Sequence, residues 1–369
     1  MAVWPSQRSV RLCLHGVTLE LTAAYEPFLD YVEMAMQPFL TDPVEEPSVR
    51  AHLDWVEGEP TDSPREAFAV DSWDRRPDRD LYVAGSHVYW LRIDDFRDLQ
   101  IAAECDRGLH LTGRYHFRLG GGLGGAVRRM RWAGRMERLR ARRFSTLLYY
   151  LVYYPILWWL SRYRRFHTLH AGAVAAGGRA AVFGGMPGCG KSTLAVRMLA
   201  EPDTQMLSDN LIVYDSTQVL ACPELLLLDQ GSLAMVGAAR DRLSATGDRR
   251  VFSRDAFRVD SVSLEALKPA AFFSVERGRE NSCEPVESAE AARRLLAGNT
   301  MAKEVRRLAV MAEVLDLVAQ VPTVDPATDL SRLLDGVPAY ALRIREGADL
   351  GEVVGRYVNP IFSKSRQGR

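Results

Sequence analysis

The chain has 369 residues, of which 47% are hydrophobic and 25% charged, and its 47 basic and 47 acidic side chains cancel to zero net charge. That length allows two domains with separate cores, and the composition excludes wholesale disorder. Zero net charge gives no global attraction to nucleic acid, so no nucleic-acid partner is expected.

Five scattered cysteines (Cys13, Cys105, Cys189, Cys222, Cys283) lack CxxC spacing, which argues against a disulfide framework or a zinc site and fits a reducing compartment. The opening "MAVWPSQRSVRLCLHG" has no apolar run of signal-peptide length, and a cytoplasmic location is the expectation.

Residues 1–119 read as an N-terminal, strand-rich α+β domain. "SVRLCLHGVTLELTA" alternates around a turn at Gly16, and "YEPFLDYVEMAMQPFL" carries apolar residues at helical spacing. "SVRAHLDWVEG", "DLYVAGSHVYWLRID" and "LHLTGRYHFRLG" read as further strands, with "EPTDSPREAF" and "DRRPDRD" as polar loops.

Residues 120–165 form the next segment. "GGGLGG" at 120–125 lacks a following Lys-Ser/Thr and reads as a flexible linker. Beyond it, "VRRMRWAGRMERLRARRF" is rich in arginine, and "STLLYYLVYYPILWWLSRYRR" is aromatic and apolar. The uninterrupted apolar run, 147–160, falls short of the ~20 residues that span a bilayer and contains Pro155. It reads either as a buried helix or as an interfacial element. In the second reading, 127–165 would bind an anionic membrane peripherally, with Tyr and Trp at headgroup depth.

Residues 166–362 read as a catalytic α/β domain, and 363–369 as a frayed tail. "HTLHAGAVAA" and "RAAVFGG" are two apolar runs joined by Gly177-Gly178, a hairpin signal. A helix over 192–200 and the strands "TQMLSD", "NLIVYD" and "QVLACPELLLLD" follow, the last two continuing the same sheet. Residues 240–258 look like a polar loop carrying Arg240, Arg242, Arg249, Arg250, Arg254 and Arg258, able to close over a phosphate. A solvated, charge-mixed loop is the alternative. The strand "KPAAFFSVERG", two helices, the strand "PAYALRI" and the helix "ADLGEVVGRYV" complete the domain.

Gly185-x-x-x-x-Gly190-Lys191-Ser192 matches the phosphate-loop (Walker A) template, with an apolar strand before it and an amphipathic helix after it. The chemistry explains the spacing. Glycines let successive backbone N–H groups curl around a phosphate, and the new helix adds its positive end. Lys191 reaches the β and γ oxygens, while the Ser192 hydroxyl is placed to ligate Mg²⁺. The nucleotide-binding set is Gly185, Gly188, Cys189, Gly190, Lys191, Ser192 and Thr193, with Cys189 acting only as a small side chain.

No Asn-Lys-x-Asp or Asp-x-x-Gly motif occurs, which argues against a GTPase. Asp209 ends the short strand after the phosphate-loop helix. It could face the γ-phosphate as a Mg²⁺ ligand or proton acceptor, or simply cap a turn. His170 precedes the hairpin and would sit on a strand beside the loop, as a packed core residue or as part of the site. Glu224, in "CPELLLLD", could contact substrate or metal, though its spacing does not demand it.

"LHAGAV", "GRAAVFGGMPGCGKSTLA" and "MLSDNLIVYD" together resemble the core of the HPr kinase/phosphorylase family. The resemblance covers about 166–230. It implies a P-loop kinase domain of the HPr kinase-like type, with Asp209 as general base and His170 near the transferred phosphate. It further implies ATP and Mg²⁺ as cofactors, a protein or peptide serine as hydroxyl acceptor, and a homo-oligomer. Two features depart from the pattern. The second acid of an Asp-Asp pair is here Asn210, and the run linked to dephosphorylation is missing, "VERGRE" at 275–280 sharing only a fragment. Kinase activity without phosphorylase activity is therefore expected. A membrane lipid hydroxyl is an alternative acceptor, and a nucleotide-binding regulatory module with little transfer is a second alternative.

Overall fold

Strict alternation in "SVRLCLHGVTLELTA" folds the first hairpin, β1 (Ser9–Leu14) and β2 (Val17–Ala23), with every second side chain buried. The computed structural model describes residues 8–43, 46–58, 73–76, 80–93, 96–118, 130, 136–251, 254–319, 321 and 325–361. The chain is a mixed α/β protein with two large mixed sheets and one small antiparallel sheet.

Two compact units divide it: 1–159 with 308–322, and 160–307 with 323–369. The expected boundaries, with 120–165 set apart and 166–362 undivided, differ from this division. Residues 136–159 join the first unit, and 308–322 return to it.

In the first unit, α1 (Glu26–Ala35) carries the chain from β2 across to β3 (Val49–Glu57), which pairs parallel to it. β4 (Asp74–Arg76), β5 (Leu81–Ala84), β6 (His87–Trp90), β7 (Leu99–Cys105) and β8 (Leu109–Phe117) complete an eight-stranded sheet ordered β1-β2-β3-β8-β7-β6-β5-β4. Two readings change here. Asp74–Arg76, expected in a loop, pairs with β5, and β7 was not foreseen. The segments 59–68 and 120–125 lie outside the described residues.

α2 (Met136–Leu148) packs on this sheet through Phe144, whose ring lies 5.7 Å from that of Phe28 and 5.7 Å from that of Trp55. One turn of π-helix (Tyr149–Tyr153) leads into α3 (Tyr154–Tyr163). The Tyr154 N–H closes that wide turn on the Tyr149 carbonyl, and the next residue, Pro155, has no N–H to offer. A widened turn thus accommodates the proline without ending the helix. Tyr150, Tyr153, Tyr154 and Trp158 are each at most 2% exposed, and Trp158 Nε1 donates to Asp316 Oδ1 at 2.9 Å. That burial takes these rings away from the headgroup depth the membrane reading requires. No helix among the described residues is long and apolar enough to cross a membrane.

The second unit is built on β9 (His167–Ala176) and β10 (Arg179–Gly184), a hairpin whose turn residues Gly177 and Gly178 both have positive φ. α4 (Lys191–Met198), β11 (Thr204–Ser208), β12 (Leu211–Tyr214), β13 (Val219–Leu220) and β14 (Leu226–Leu228) follow. Next come α5 (Gln230–Met235), a 3₁₀ turn (Gly237–Arg242), β15 (Leu243–Val251), β16 (Arg254–Val259) and β17 (Pro269–Gly278). β18 (Ser282–Pro285), α6 (Ser288–Met301), α7 (Lys303–Ala319), α8 (Pro326–Leu334), β19 (Ala339–Arg345) and α9 (Leu350–Val353) end the order.

The large sheet of this unit runs β13-β12-β9-β10-β17-β19-β18, with β10, β17 and β19 parallel. Its two faces carry separate apolar clusters. Val174, Phe183, Leu194, Ala195, Phe273 and Val353 share one, and Leu169, Val182, Phe272, Leu295 and Leu333 share the other. α4 and α9 therefore cover one face, and α6 and α8 the opposite one.

β14 leaves the large sheet, contrary to expectation, and joins β16 and β15 in the three-stranded one. The 240–258 stretch likewise corrects the loop reading. It forms a 3₁₀ turn and an antiparallel hairpin, because the apolar residues Leu243, Ala256, Phe257 and Val259 pack inward.

His167 Nε2 lies 3.0 Å from Asp329 Oδ2 with both side chains buried, which ties β9 to α8. Asp329→Ala would strand the imidazole in the core. Urea denaturation is expected to show a loss of about 2–3 kcal/mol, and an unchanged midpoint would contradict this role.

Candidate active site

The site begins where β10 ends. Gly185 (φ 136°) starts a loop that Gly188 (φ 81°) and Gly190 (φ 105°) bend with positive φ, and α4 starts at Lys191. At Gly185 a second constraint applies, because a Cβ there would press into the Val275 carbonyl of the neighbouring β17. Gly185→Ala is expected to lower the denaturation midpoint by a cost of about 1–3 kcal/mol from backbone strain, with the clash added. Gly178→Ala, at φ 72° with open space around its Cβ, serves as the control that meets strain alone. Equal losses in the two variants would show that the close approach to β17 carries no weight.

Lys191 folds back across the loop. Its Nζ donates to the carbonyls of Gly185 at 3.0 Å and Met186 at 3.1 Å, and the side chain is almost wholly buried. Burial lowers its pKa, opposed by the nearby Cys189, Asp209 and Glu304. Cys189 is buried beneath the loop, where desolvation pushes its thiol up. Thr193, on the first turn of α4, is also buried.

Asp209 reaches this loop by a route the sequence did not reveal. β11 pairs with the second half of β9 and β12 with the first half, so both occupy the same edge of that strand. Asp209 and Asn210 bridge the break between them, where the Asn210 carbonyl accepts from the Ala171 N–H at 3.1 Å. Asp209 is thus one strand removed from β10, at the break between β11 and β12, opposite the middle of β9. Gly172, on β9, lets α4 pack closely against this strand. A Cβ there would stand 3.3 Å from the Ala195 Cβ, 3.5 Å from the Lys191 carbonyl and 3.6 Å from that of Asp209. The Ser192 hydroxyl closes the gap by donating to the Asp209 carbonyl at 3.0 Å. Ser192 and Asp209, expected together, are brought together.

The carboxyl of Asp209 is raised to about 7, chiefly by desolvation, with Glu304 adding a like charge and Lys191 and Arg254 opposing. His170 lies on β9, on the face that α4 covers. Desolvation and the Lys191 charge lower its imidazole to about 4, and Asn210 lies against the ring. At neutral pH, His170 is therefore an uncharged ring, and Asp209 holds its proton far more readily than an ordinary carboxyl does.

Several neighbours were not foreseen. Glu304, in the first turn of α7, is felt by both Lys191 and Asp209, yet nothing in its spacing sets it apart from any acid at a helix start. Arg277, at the end of β17, comes within 3.4 Å of the Gly188 carbonyl through Nη2. Among the arginines of 240–258, Arg254 is the one whose charge reaches Asp209; the side chains of Arg249 and Arg250 lie outside the described residues. Asn210 does not serve as a second acid. Its Nδ2 donates to Glu224 Oε2 at 3.1 Å, which gives Glu224 a supporting place beside the break between β11 and β12.

The loop suits a polyphosphate: three bends at glycine, a helix start and a buried ammonium converge on one point. Among the described residues no group of three or more His, Cys, Asp or Glu could hold a metal by itself. A Mg²⁺ bound mainly by phosphate oxygens needs only one or two protein ligands, and Ser192 and Asp209 can supply them. No protein-family model matches the chain, and no curated protein matches it.

Proposed function

We propose that this protein is an ATP-dependent phosphotransferase with a P-loop domain of the HPr kinase-like type. It moves the γ-phosphate to a hydroxyl acceptor, with a serine of a protein or peptide as the leading choice. The observation that carries the reading is the meeting of Lys191, Ser192 and Asp209. A carboxylate tuned to about 7 stands where the start of α4 meets the break between β11 and β12, beside the phosphate loop.

The division of labour follows from the positions. The loop N–H groups and the ammonium of Lys191 hold the β and γ oxygens and offset charge as it spreads over them. Mg²⁺, when bound with the nucleotide by Ser192 and Asp209, supplies further charge neutralisation. The Asp209 carboxylate accepts the acceptor's hydroxyl proton while the freed oxygen bonds to the γ-phosphorus. The bond from that phosphorus to the β–γ bridging oxygen breaks, and ADP leaves. His170, uncharged at neutral pH, contributes hydrogen bonding rather than a positive charge.

A base of pKa about 7 is matched to removing an acceptor's proton at neutral pH, and the resemblance to the HPr kinase family favours a hydroxyl over water as that acceptor. The reading is tested with γ-labelled ATP and a fractionated cell extract, counting label separately in protein, lipid and small-molecule fractions. Label in the protein fraction is expected. Label confined to lipid would reassign the acceptor, and free phosphate alone would remove the transferase reading.

A further inference from the structure

The hydrogen-bonded ladder between β9 and β10 stops at the pair Ala171–Gly184, because β10 turns into the phosphate loop at Gly185. Beyond that point, Thr168 and His170 still direct backbone groups toward the side that β10 has vacated. Asn299, on α6, occupies the place of the missing strand. Its Oδ1 accepts from the His170 N–H at 2.7 Å, and its Nδ2 donates to the Thr168 carbonyl at 3.2 Å. One side-chain amide thus supplies the acceptor and the donor that a strand residue would offer.

The same turn of α6 grips the loop itself. Leu295 sits where a Cβ on Gly184 would be, and a Cβ on Gly298 would stand 3.0 Å from the Gly185 carbonyl. Residues 295–299 therefore touch the last residue of β10, the first of the loop, and the strand that carries His170.

We propose that Asn299 is a positioning residue, which extends the interrupted β9–β10 ladder and so fixes the His170 imidazole beside the phosphate loop. The inference rests on the phosphotransferase reading for its consequence in catalysis, but not for the link between Asn299 and His170. Asn299 touches neither nucleotide nor acceptor in this scheme. It acts by holding the backbone of another residue.

The test uses the full chain with Asn299→Ala, Asn299→Ser and His170→Ala, followed by two readouts. The first is an NMR titration of the histidine rings, with the His170 signal assigned by its loss in His170→Ala. In the parent protein His170 is expected to titrate near 4. In Asn299→Ala it moves up by about one unit or more, as the loosened strand admits water to the ring. The second is kinetic. Asn299→Ala is expected to lower kcat by about tenfold to a hundredfold, with KM for ATP changed by less than about twofold. In the His170→Ala background the same change brings no further loss, since the two residues act as one unit. Asn299→Ser keeps a short neutral hydrogen-bonding group and falls between, and it stands in if the alanine variant does not fold. An unmoved His170 titration in the folded variants overturns the proposal, as does a full additional loss of kcat in the double mutant. Should the chain transfer no phosphate at all, the phosphotransferase reading fails while the titration still decides the role of Asn299.

Discussion

Lys191→Ala is expected to abolish phosphate transfer, lowering kcat/KM by roughly 10²–10³-fold, as the loss of a single preorganised charge-stabilising group does elsewhere. The Lys191 ammonium is 5% exposed and spans the loop between the Gly185 and Met186 carbonyls. A charge held in so dry a place acts on phosphate oxygens with little screening, and water cannot replace it. Binding of an ATP analogue, followed by equilibrium titration, is expected to weaken in parallel. Lys191→Arg gives a sharper contrast. It keeps the charge, yet its planar fork cannot follow the path between those two carbonyls, so it is expected to rescue little. Transfer within about threefold of the parent in Lys191→Ala would mean that the loop does not hold the reacting phosphate.

Asp209→Asn is expected to move activity and stability in opposite directions. As the proton acceptor, Asp209 is expected to contribute about 10²–10⁴ to kcat; as one of the two Mg²⁺ ligands it is also expected to strengthen Mg·ATP binding, while the phosphate loop itself is unchanged by the substitution. Transfer by the parent protein is expected to rise with pH as the carboxyl ionises, at a pH below 7 because the bound Mg²⁺ favours the carboxylate, and the variant to lose that rise. Stability moves the opposite way. Because the folded-state pKa of Asp209 lies above the ordinary carboxyl value of 3.8, the folded protein holds this proton more tightly than the unfolded chain does. Stability from this group is therefore full below about 4 and is lost as pH climbs through about 7. The asparagine carries no such charge. At pH 8 the variant is expected to melt higher than the parent by roughly 2–4 °C for each kcal/mol regained, with a much smaller difference at pH 5. Equal melting temperatures at pH 8, together with full transfer, would place Asp209 outside the reaction.

How much of this was legible in the sequence depends on how local the signal was. The strand, loop and helix around Lys191 follow from residues within fifteen positions of one another, and they form as read. The Gly177-Gly178 turn is equally local, and so is the apolar strand β17. Asp209 was found by its order in the chain, but its place beside the loop depends on two strands sharing one edge of β9, a pairing that no short window contains. The hairpin of 243–259 was misread because its arginines and its Gly-Asp suggest a loop, while the apolar residues that anchor it occupy only one side. Asn299 and Glu304 were invisible for a different reason. Each is an ordinary polar residue of a helix, given its role by contacts more than 90 positions away in the chain. The aromatic run at 147–160 has the composition of either a core or an interface, and only the burial of Tyr150, Tyr153, Tyr154 and Trp158 distinguishes them.

The fate of the γ-phosphate tests the central claim most directly. ADP formed and inorganic phosphate released are measured together, in the presence of the cell-extract fraction that takes up label, for the parent protein and for Asp209→Asn. The account predicts more ADP than free phosphate in the parent, the difference equalling phosphate bound to acceptor, and no such excess in the variant. ADP and free phosphate appearing one for one in the parent would contradict it, and would identify water as the acceptor.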